Sequence, residues 1–533
     1  MSESRRGIPA DAPHYDLIVI GAGINGAAIA REAALRGLGV LLLDRNDIGS
    51  GTSAASTRLI HGGLRYLEHA EFGLVRESLR ERERLLRLAP HLVTPLKLYL
   101  PLFKRSRRRS WQIRIGMTIY DALSFDKSLP RHAMLSRAQM IAAVPGLDDR
   151  ELLGGAYYYD AQIEYPERLI VELVQDAVAH GAVLRTYTCA EAIVVVDRIA
   201  RGVTYASADG RQVIAAADAI VNATGPWVDD LLGGITPKRL IGGTRGSHLI
   251  VRPFSGAPDA ALYTEAVSDG RPFFIVPWNG LYLIGTTDVR FDGDPGTVTI
   301  DASERAYLLE EVRSLIPGAR DLADCVCYTH AGIRPLPHRA AGSEGAITRR
   351  HLIRHHRAAK GLYSIVGGKL TTHRALAEDV LKRLRRRFPS WPASSPTRER
   401  PLPGALDARE RAGLDRELEA VFGEACSRRL LRVYGANAHA LLEAVRTAPE
   451  LAAPLASGSR VVLAELVHAM RNEWAANLTD VLLRRCMVGL DCAGGLDEAS
   501  AAAQRLVELG LADRDVNALV DDYRADVARF SPA

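Results

Sequence analysis

Cysteine is scarce in this chain, with six residues among 533 and no regular spacing. That argues against a disulfide-stapled secreted fold and predicts reduced thiols in a cytosolic setting. Cys325 and Cys327 alternate like residues on one strand face, and Cys486 and Cys492 stand isolated, so no metal centre is expected. Long hydrophobic runs are missing too. No stretch approaches the roughly 18 consecutive apolar residues of a membrane-spanning helix. The polar N-terminus lacks the apolar stretch of a secretory signal and reads as a disordered tail, 1–14. Excess charge is small, at +5, so nothing global calls for nucleic acid.

What the chain does have is length, enough for two or three domains, and a βαβ unit near its start. An apolar strand, Asp16 to Ile20, runs into Gly21-Ala22-Gly23-Ile24-Asn25-Gly26, an Ala-rich helix follows, and a second strand ends on Asp44. Gly21 makes the tight turn, Gly23 lets backbone approach a pyrophosphate, and Gly26 brings helix and strand together, so the helix N-terminus faces the phosphates. Asp44 stands where a carboxylate bonds a ribose hydroxyl and repels a 2′-phosphate, which argues against NADP.

Further segments belong with this one. The run from Gly51 to Tyr66, including Thr52, Ser53, Ser56, His61 and Gly62, is too polar for a core and rich in groups that bond phosphate and a flat heterocycle. A buried strand, Ala219 to Val221, exits at Asn222-Ala223-Thr224-Gly225-Pro226-Trp227, and another meets Gly367-Gly368-Lys369-Leu370-Thr371 before a helix. That helix start suits the negative charge of a reduced flavin. Between them, three antiparallel strands are predicted near 247–251, 272–277 and 281–285, with Asn279-Gly280 as a hairpin turn. The expected fold is α/β: a two-dinucleotide-fold FAD-binding domain (15–90, 155–228, 330–390), an antiparallel-sheet substrate domain (91–154, 229–329), a linker (391–403) and a C-terminal all-α domain (404–533).

Two groups of cations stand out. Arg65, Arg334, Arg349 and Lys369 sit in or beside cofactor-side loops, and four cations in such segments point to an anionic substrate. Lys104, Arg105, Arg107, Arg108 and Arg109 form a basic run flanked by apolar residues. It reads either as a solvated loop or as a patch for anionic lipid headgroups, with Trp111 and Tyr120 as interfacial anchors.

Taken together, Leu59 to Glu68, Asn222 to Trp227, Ile284-Gly285-Thr286-Thr287-Asp288 and Gly367 to Thr372 resemble the signature segments of FAD-dependent, quinone-linked glycerol-3-phosphate dehydrogenases. The resemblance runs from about residue 14 to the C-terminus, where Glu473-Trp474-Ala475 and 480–485 are similar to that family's cap domain. It implies oxidation of sn-glycerol 3-phosphate to dihydroxyacetone phosphate on FAD, electron transfer to membrane quinone, and peripheral attachment to the cytoplasmic face of the inner membrane. Carried over, Arg65, Tyr66, Arg349 and Lys369 would hold the phosphate, and Arg334 would polarise the reacting hydroxyl. The general base stays open among His61, Lys369 and Arg334. His373 stands where some relatives have tyrosine, and Arg58 where lysine is common. A soluble oxidase passing electrons to O₂ and a non-catalytic flavin-binding protein are the alternatives, and a homodimer is compatible with either.

Overall fold

The computed structural model describes residues 8, 9, 11–207, 210–339, 347–392 and 394–531. The first of its two sheets carries the βαβ unit. Its strands lie in the order Leu352–His355, Leu362–Val366, Gln212–Asn222, His14–Ile20, Val40–Leu43, Val183–Arg185. Along that row all but the edge strand Leu352–His355 run parallel, while Ile199–Ala206 pairs antiparallel with Gln212–Asn222 and with Ala190–Val196. The central strands are apolar on both faces because both are covered, by helices over Leu17 and Val19 and by the strand Ile199–Ala206 with Val228 and Leu232 over Ile18, and Leu17, Ile18 and Val19 are wholly buried. Helices Ile24–Ala34, Pro166–Ala179 and His373–Leu384 pack into the core that contains Leu17 and Val19. The second sheet is largely antiparallel, and its Pro272–Trp278 and Leu281–Gly285 strands are joined through Asn279 and Gly280. Both turn residues have positive φ, 52° and 73°, as a two-residue hairpin demands.

Several boundaries differ from the sequence reading. Cuts at 155 and 330 pass through strands: Leu152–Ile163 pairs along its length with Val93–Phe103, and Val326–Arg334 pairs with Thr244–Val251, so both belong to the second sheet. His14, placed in a disordered tail, already opens the first strand, while residues 1–7 lie outside the described residues. The stretch 391–403 is no free linker. Trp391 and Leu402 are buried in the core under Ile24–Ala34, and the Ser395 and Thr397 hydroxyls donate to the buried carboxylate of Glu32. Composition reads such a stretch as loose, because the partner that satisfies it lies far away in sequence.

The C-terminal helices, from Ala408–Phe422 to Val516–Ala528, form their own core and are clamped onto the rest by buried charge. Arg168 donates to both oxygens of Glu473 at 2.6 and 2.7 Å, with both side chains out of solvent. Removing one partner of such a pair costs about 3–5 kcal/mol, since the other is left buried and uncompensated. Arg484 and Arg485 reach across to Asp47, just past Asp44, at 2.6 and 2.8 Å. A disulfide joins Cys327 on the second sheet to Cys492, 165 residues away. This corrects the expectation of six reduced thiols: the spacing concealed a pair that only folding brings together.

Candidate functional site

A cavity of about 1220 Å³ lies where loops of the first sheet meet a face of the second and the C-terminal helices. Its glycines are dictated by close approach. Gly21 has φ +103°, and a Cβ there would sit 2.7 Å from the Ala223 carbonyl oxygen. A Cβ on Gly26 would fall 1.8 Å from the Gly21 carbonyl oxygen, so this glycine seats helix against strand and does not line the cavity. Asp44 accepts from the Ala22 N–H at 2.6 Å and the Asn46 N–H at 2.9 Å, and burial pushes its pKa up to about 6. Ser53 Oγ accepts from the Ile24 N–H at 3.1 Å, tying the hydroxyl-rich loop to the helix start.

The opposite wall is made by Gly367 and Gly368, both at positive φ, beside Asn25. No side chain caps the turn Leu370–Thr372 or the helix His373–Leu384 after it, so donors remain for a ligand. Thr371 Oγ1 accepts from the His61 N–H at 3.2 Å. Asn25 Oδ1 and Trp227 Nε1 are buried without a partner, as polar atoms meant for a bound molecule would be. Thr52, Ser56, Thr224, Gly225 and Leu370 complete this lining. The cavity exceeds the roughly 300–1,000 Å³ of ordinary small-molecule sites and suits an extended dinucleotide such as FAD.

One expected cofactor contact fails. The Gly62 N–H donates to Tyr120 Oη at 3.0 Å, and Gly62 is absent from the lining. Its lack of a side chain is required by packing instead, because a Cβ would meet Tyr120 Oη at 2.4 Å.

The four cations converge around Tyr66. Lys369 Nζ lies 4.7 Å from the Tyr66 ring centroid, and Arg349, Arg65 and Arg334 all act on its hydroxyl, whose pKa burial raises. Arg334 Nη1 and Arg349 Nη2 donate to the two oxygens of Asp288, at 3.2 and 2.8 Å. Burial would lift the Asp288 pKa, but the two arginines outweigh it and hold the carboxyl ionised. Arg334 also donates to Thr286 Oγ1 at 2.8 Å. Asp288 and Thr286 line the cavity and hold these arginines, and the sequence reading quoted both in a motif but gave neither a role. Arg349 Nη1 is buried without a partner, and no described carboxylate pairs with Arg65.

Burial separates the three groups that could take a proton. It pushes His61 down to about 3, with help from Lys369, pushes Arg334 down to about 10, and pushes Lys369 down to about 7. Lys369 Nζ donates to Ser78 Oγ at 3.0 Å and to the His61 carbonyl at 3.3 Å. Two more buried imidazoles line the cavity, His248 and His330, with centroids 4.7 Å apart, and the sequence reading missed both. The departures are accommodated. Arg58 makes two bonds to Glu167 at 2.8 and 3.0 Å, and His373 Nδ1 bonds the Leu370 carbonyl at 2.7 Å.

The basic run does not form one patch. Arg108 is bound to Glu68 and Glu265, and Arg107 lines the cavity and donates to the Asp269 carbonyl. Tyr120, expected as an interfacial anchor, is 2% exposed and donates to Asp160 at 2.8 Å, because it faces the core side of the helix Ser110–Leu123. Trp111, 63% exposed, and Ile115 do face outward four residues apart, with Phe125 78% exposed beyond the helix end. No described helix is long and apolar enough to cross a membrane.

Residues 16–383 match the family model for FAD dependent oxidoreductases, and 395–513 match the C-terminal domain of alpha-glycerophosphate oxidase. A glycerol-3-phosphate dehydrogenase of Synechocystis sp. is 42% identical over 89% of this chain and 89% of its own. The aerobic glycerol-3-phosphate dehydrogenase of Escherichia coli is 37% identical over 92% of this chain and 97% of its own. Among solved structures, the glycerol-3-phosphate dehydrogenase of Bacillus halodurans complexed with FAD superimposes with a TM-score of 0.79 at 27% identity, covering 97% of this chain and 95% of that one.

Proposed function

This chain belongs to the family of FAD-dependent oxidoreductases, in its glycerol-3-phosphate dehydrogenase group, and on that premise we propose that it oxidises sn-glycerol 3-phosphate to dihydroxyacetone phosphate and passes the electrons to a membrane quinone. The observation that carries the substrate is the convergence of Arg65, Arg334, Arg349 and Lys369 on Tyr66 inside the cofactor cavity. Only one carboxylate, Asp288, is ion-paired with this set among the described residues, so the site keeps a positive surplus that a phosphate dianion would neutralise. FAD, the cofactor, supplies the two-electron acceptor for the substrate's C2 hydrogen.

The protein's part is to hold the substrate and move one proton. Arg65, Tyr66 and Arg349 grip the phosphate. Arg334, fixed by Asp288 and Thr286, would offer its remaining N–H groups to the C2 oxygen and stabilise the charge that develops there. Lys369 takes the hydroxyl proton, because its proton affinity near neutrality suits a base, whereas Arg334 stays cationic and His61 is a weak base. The test is anaerobic mixing of the yellow protein with sn-glycerol 3-phosphate while following the flavin band. Rapid bleaching that plain glycerol does not cause is expected, with reoxidation faster by a short-chain quinone than by O₂. An unbleached, fully loaded protein would sink the reading.

Quinone is a membrane solute, and the outward face of Ser110–Leu123 offers a way to reach it. Trp111 and Ile115 would enter the headgroup boundary while the exposed Lys104, Arg109 and Arg114 meet anionic lipid. Burying each apolar side chain contributes about 1.5–3 kcal/mol. The double variant Trp111→Asp/Ile115→Asp should therefore lose at least about tenfold in binding to vesicles containing phosphatidylglycerol, measured by co-sedimentation. Unchanged sedimentation would exclude this helix as the docking face.

A further inference from the structure

A second cavity, about 310 Å³, lies at the edge of the first sheet and shares no lining residue with the cofactor cavity. Its apolar lining comes from Leu240, Pro337, Leu352 and Val366. Every titratable side chain that lines it is basic: Lys238, Arg239, His338, Arg354, His355 and His356. Arg239 is held by Asp292 at 2.8 Å. Among the described residues, no carboxylate comes within ion-pair distance of Lys238, His338, Arg354 or His355. His355 packs on Tyr363 with ring centroids 5.2 Å apart. His356 is nine-tenths buried, and its Nε2 bonds Ser364 Oγ at 2.9 Å, which leaves Nδ1 without a described partner. The positive field is felt locally: burial, then Arg387, Arg357 and Lys360, lower the His355 pKa.

Partly and fully buried arginines elsewhere, such as Arg31, Arg82 and Arg374, are bound to carboxylates. A solvated basic face needs no concave apolar floor, and a structural cluster of like charges would be relieved by an acid. Lys238 and Arg354, two cations without an acid on one small cavity, call for a partner that carries more than one negative charge. The volume falls at the low end of small-molecule sites, roughly 300–1,000 Å³. We infer that this cavity is an effector site for a small polyphosphate, a nucleoside di- or triphosphate or its inorganic equivalent.

The backbone gives such a ligand a route to the active site. The segment carrying Pro337 and His338 begins at Arg334, and Val366 is followed by Gly367, Gly368 and Lys369. The Gly367 N–H donates to the Pro335 carbonyl at 2.7 Å, joining the two segments between the cavities. The His338 N–H donates to the Leu240 carbonyl and the Gly242 N–H to the Leu336 carbonyl, both at 2.8 Å, which fixes the cavity wall to the same segment. An anion that draws Lys238 and Arg354 together pulls on the chain that positions Arg334 and Lys369.

The test titrates FAD-loaded protein with tripolyphosphate and with ATP by calorimetry at low and moderate salt, and repeats both with Lys238→Glu/Arg354→Glu. Both positions are exposed and outside the catalytic machinery, so flavin content, kcat and KM without effector should match the parent protein. One-to-one binding is expected, weakened by salt, together with a change of at least about twofold in KM for sn-glycerol 3-phosphate. The double variant should bind at least about tenfold more weakly and its KM should not respond. Binding of both probes points to the phosphates as the recognised group, and binding of ATP alone adds the apolar floor; either supports the site. No binding at millimolar probe, or binding undiminished in the double variant, overturns it. Binding that leaves KM unmoved overturns the effector role. The calorimetric arm does not depend on the reaction assigned above.

Discussion

Replacing Arg334 with alanine is expected to lower kcat/KM for sn-glycerol 3-phosphate by about 10²–10³-fold, equivalent to about 2.7–4 kcal/mol of transition-state stabilisation. The reasoning starts from preorganisation. Arg334 is half-buried, its guanidinium is held by Asp288 at 3.2 Å and Thr286 at 2.8 Å, and it keeps its charge although desolvation lowers its pKa to about 10. Donors fixed in that way need no reorganisation when negative charge develops on the substrate oxygen. Alanine removes the donors and leaves Asp288 to Arg349 alone, which turns part of the phosphate grip toward an internal carboxylate. Arg334→Lys should recover only part of the loss, since a single ammonium lacks the rigid fork that reaches Asp288 with one nitrogen and Thr286 with the other. Flavin content separates a chemical defect from a folding one. An alanine variant that keeps its flavin and turns over within about threefold of the parent would remove Arg334 from the reaction.

Much of this molecule could be read from the chain because its strongest constraints are local. Gly21 and Gly26 announce themselves because each is forced by an atom within a short sequence neighbourhood or one strand away. The hairpin at Asn279-Gly280 is of the same kind, a turn whose dihedrals admit few residues. What escaped was decided at long range. Leu152–Ile163 needs Val93–Phe103 to show that it is a strand of the second sheet, and 391–403 needs Glu32 to show that it is packed. Cys327 and Cys492 are the extreme case, since nothing about either residue's neighbours announces the other.

The site divides the same way. Residue type and loop position were enough to nominate Arg65, Arg334, Arg349 and Lys369, but not the carboxylate that organises two of them. Asp288 stood within a recognised motif, and only its geometry, one oxygen to each arginine, gives it a task. Gly62 failed as a cofactor contact for the converse reason. Its motif was noticed, yet Tyr120 already takes its N–H from the core side. The same tyrosine failed as a membrane anchor, since a helix buries one face and exposes another, and composition does not say which face Tyr120 occupies.

The second large effect concerns Lys369 and has a sign that decides its role. Burial lowers its pKa to about 7, with Asp160, Glu77 and Glu71 opposing that fall. A base must be neutral to accept a proton, so kcat/KM should rise with pH through about 7 and level off above it. The ionisation of the substrate's own phosphate enters every profile alike and cancels when parent and Lys369→Met are divided. That ratio should grow from acid toward alkali and reach about 10²–10⁴ on the plateau, the range of general-base catalysis. If Lys369 served instead as a fixed cation for the phosphate, its charge would be present below pH 7 and lost above it, and the ratio would fall along the same axis. Single-turnover flavin reduction at saturating substrate gives an independent reading. There a base leaves its mark on the limiting rate, whereas a phosphate ligand acts mainly on the substrate concentration needed to reach it. The direction of one curve thus chooses between the two tasks that a buried lysine over Tyr66 could perform.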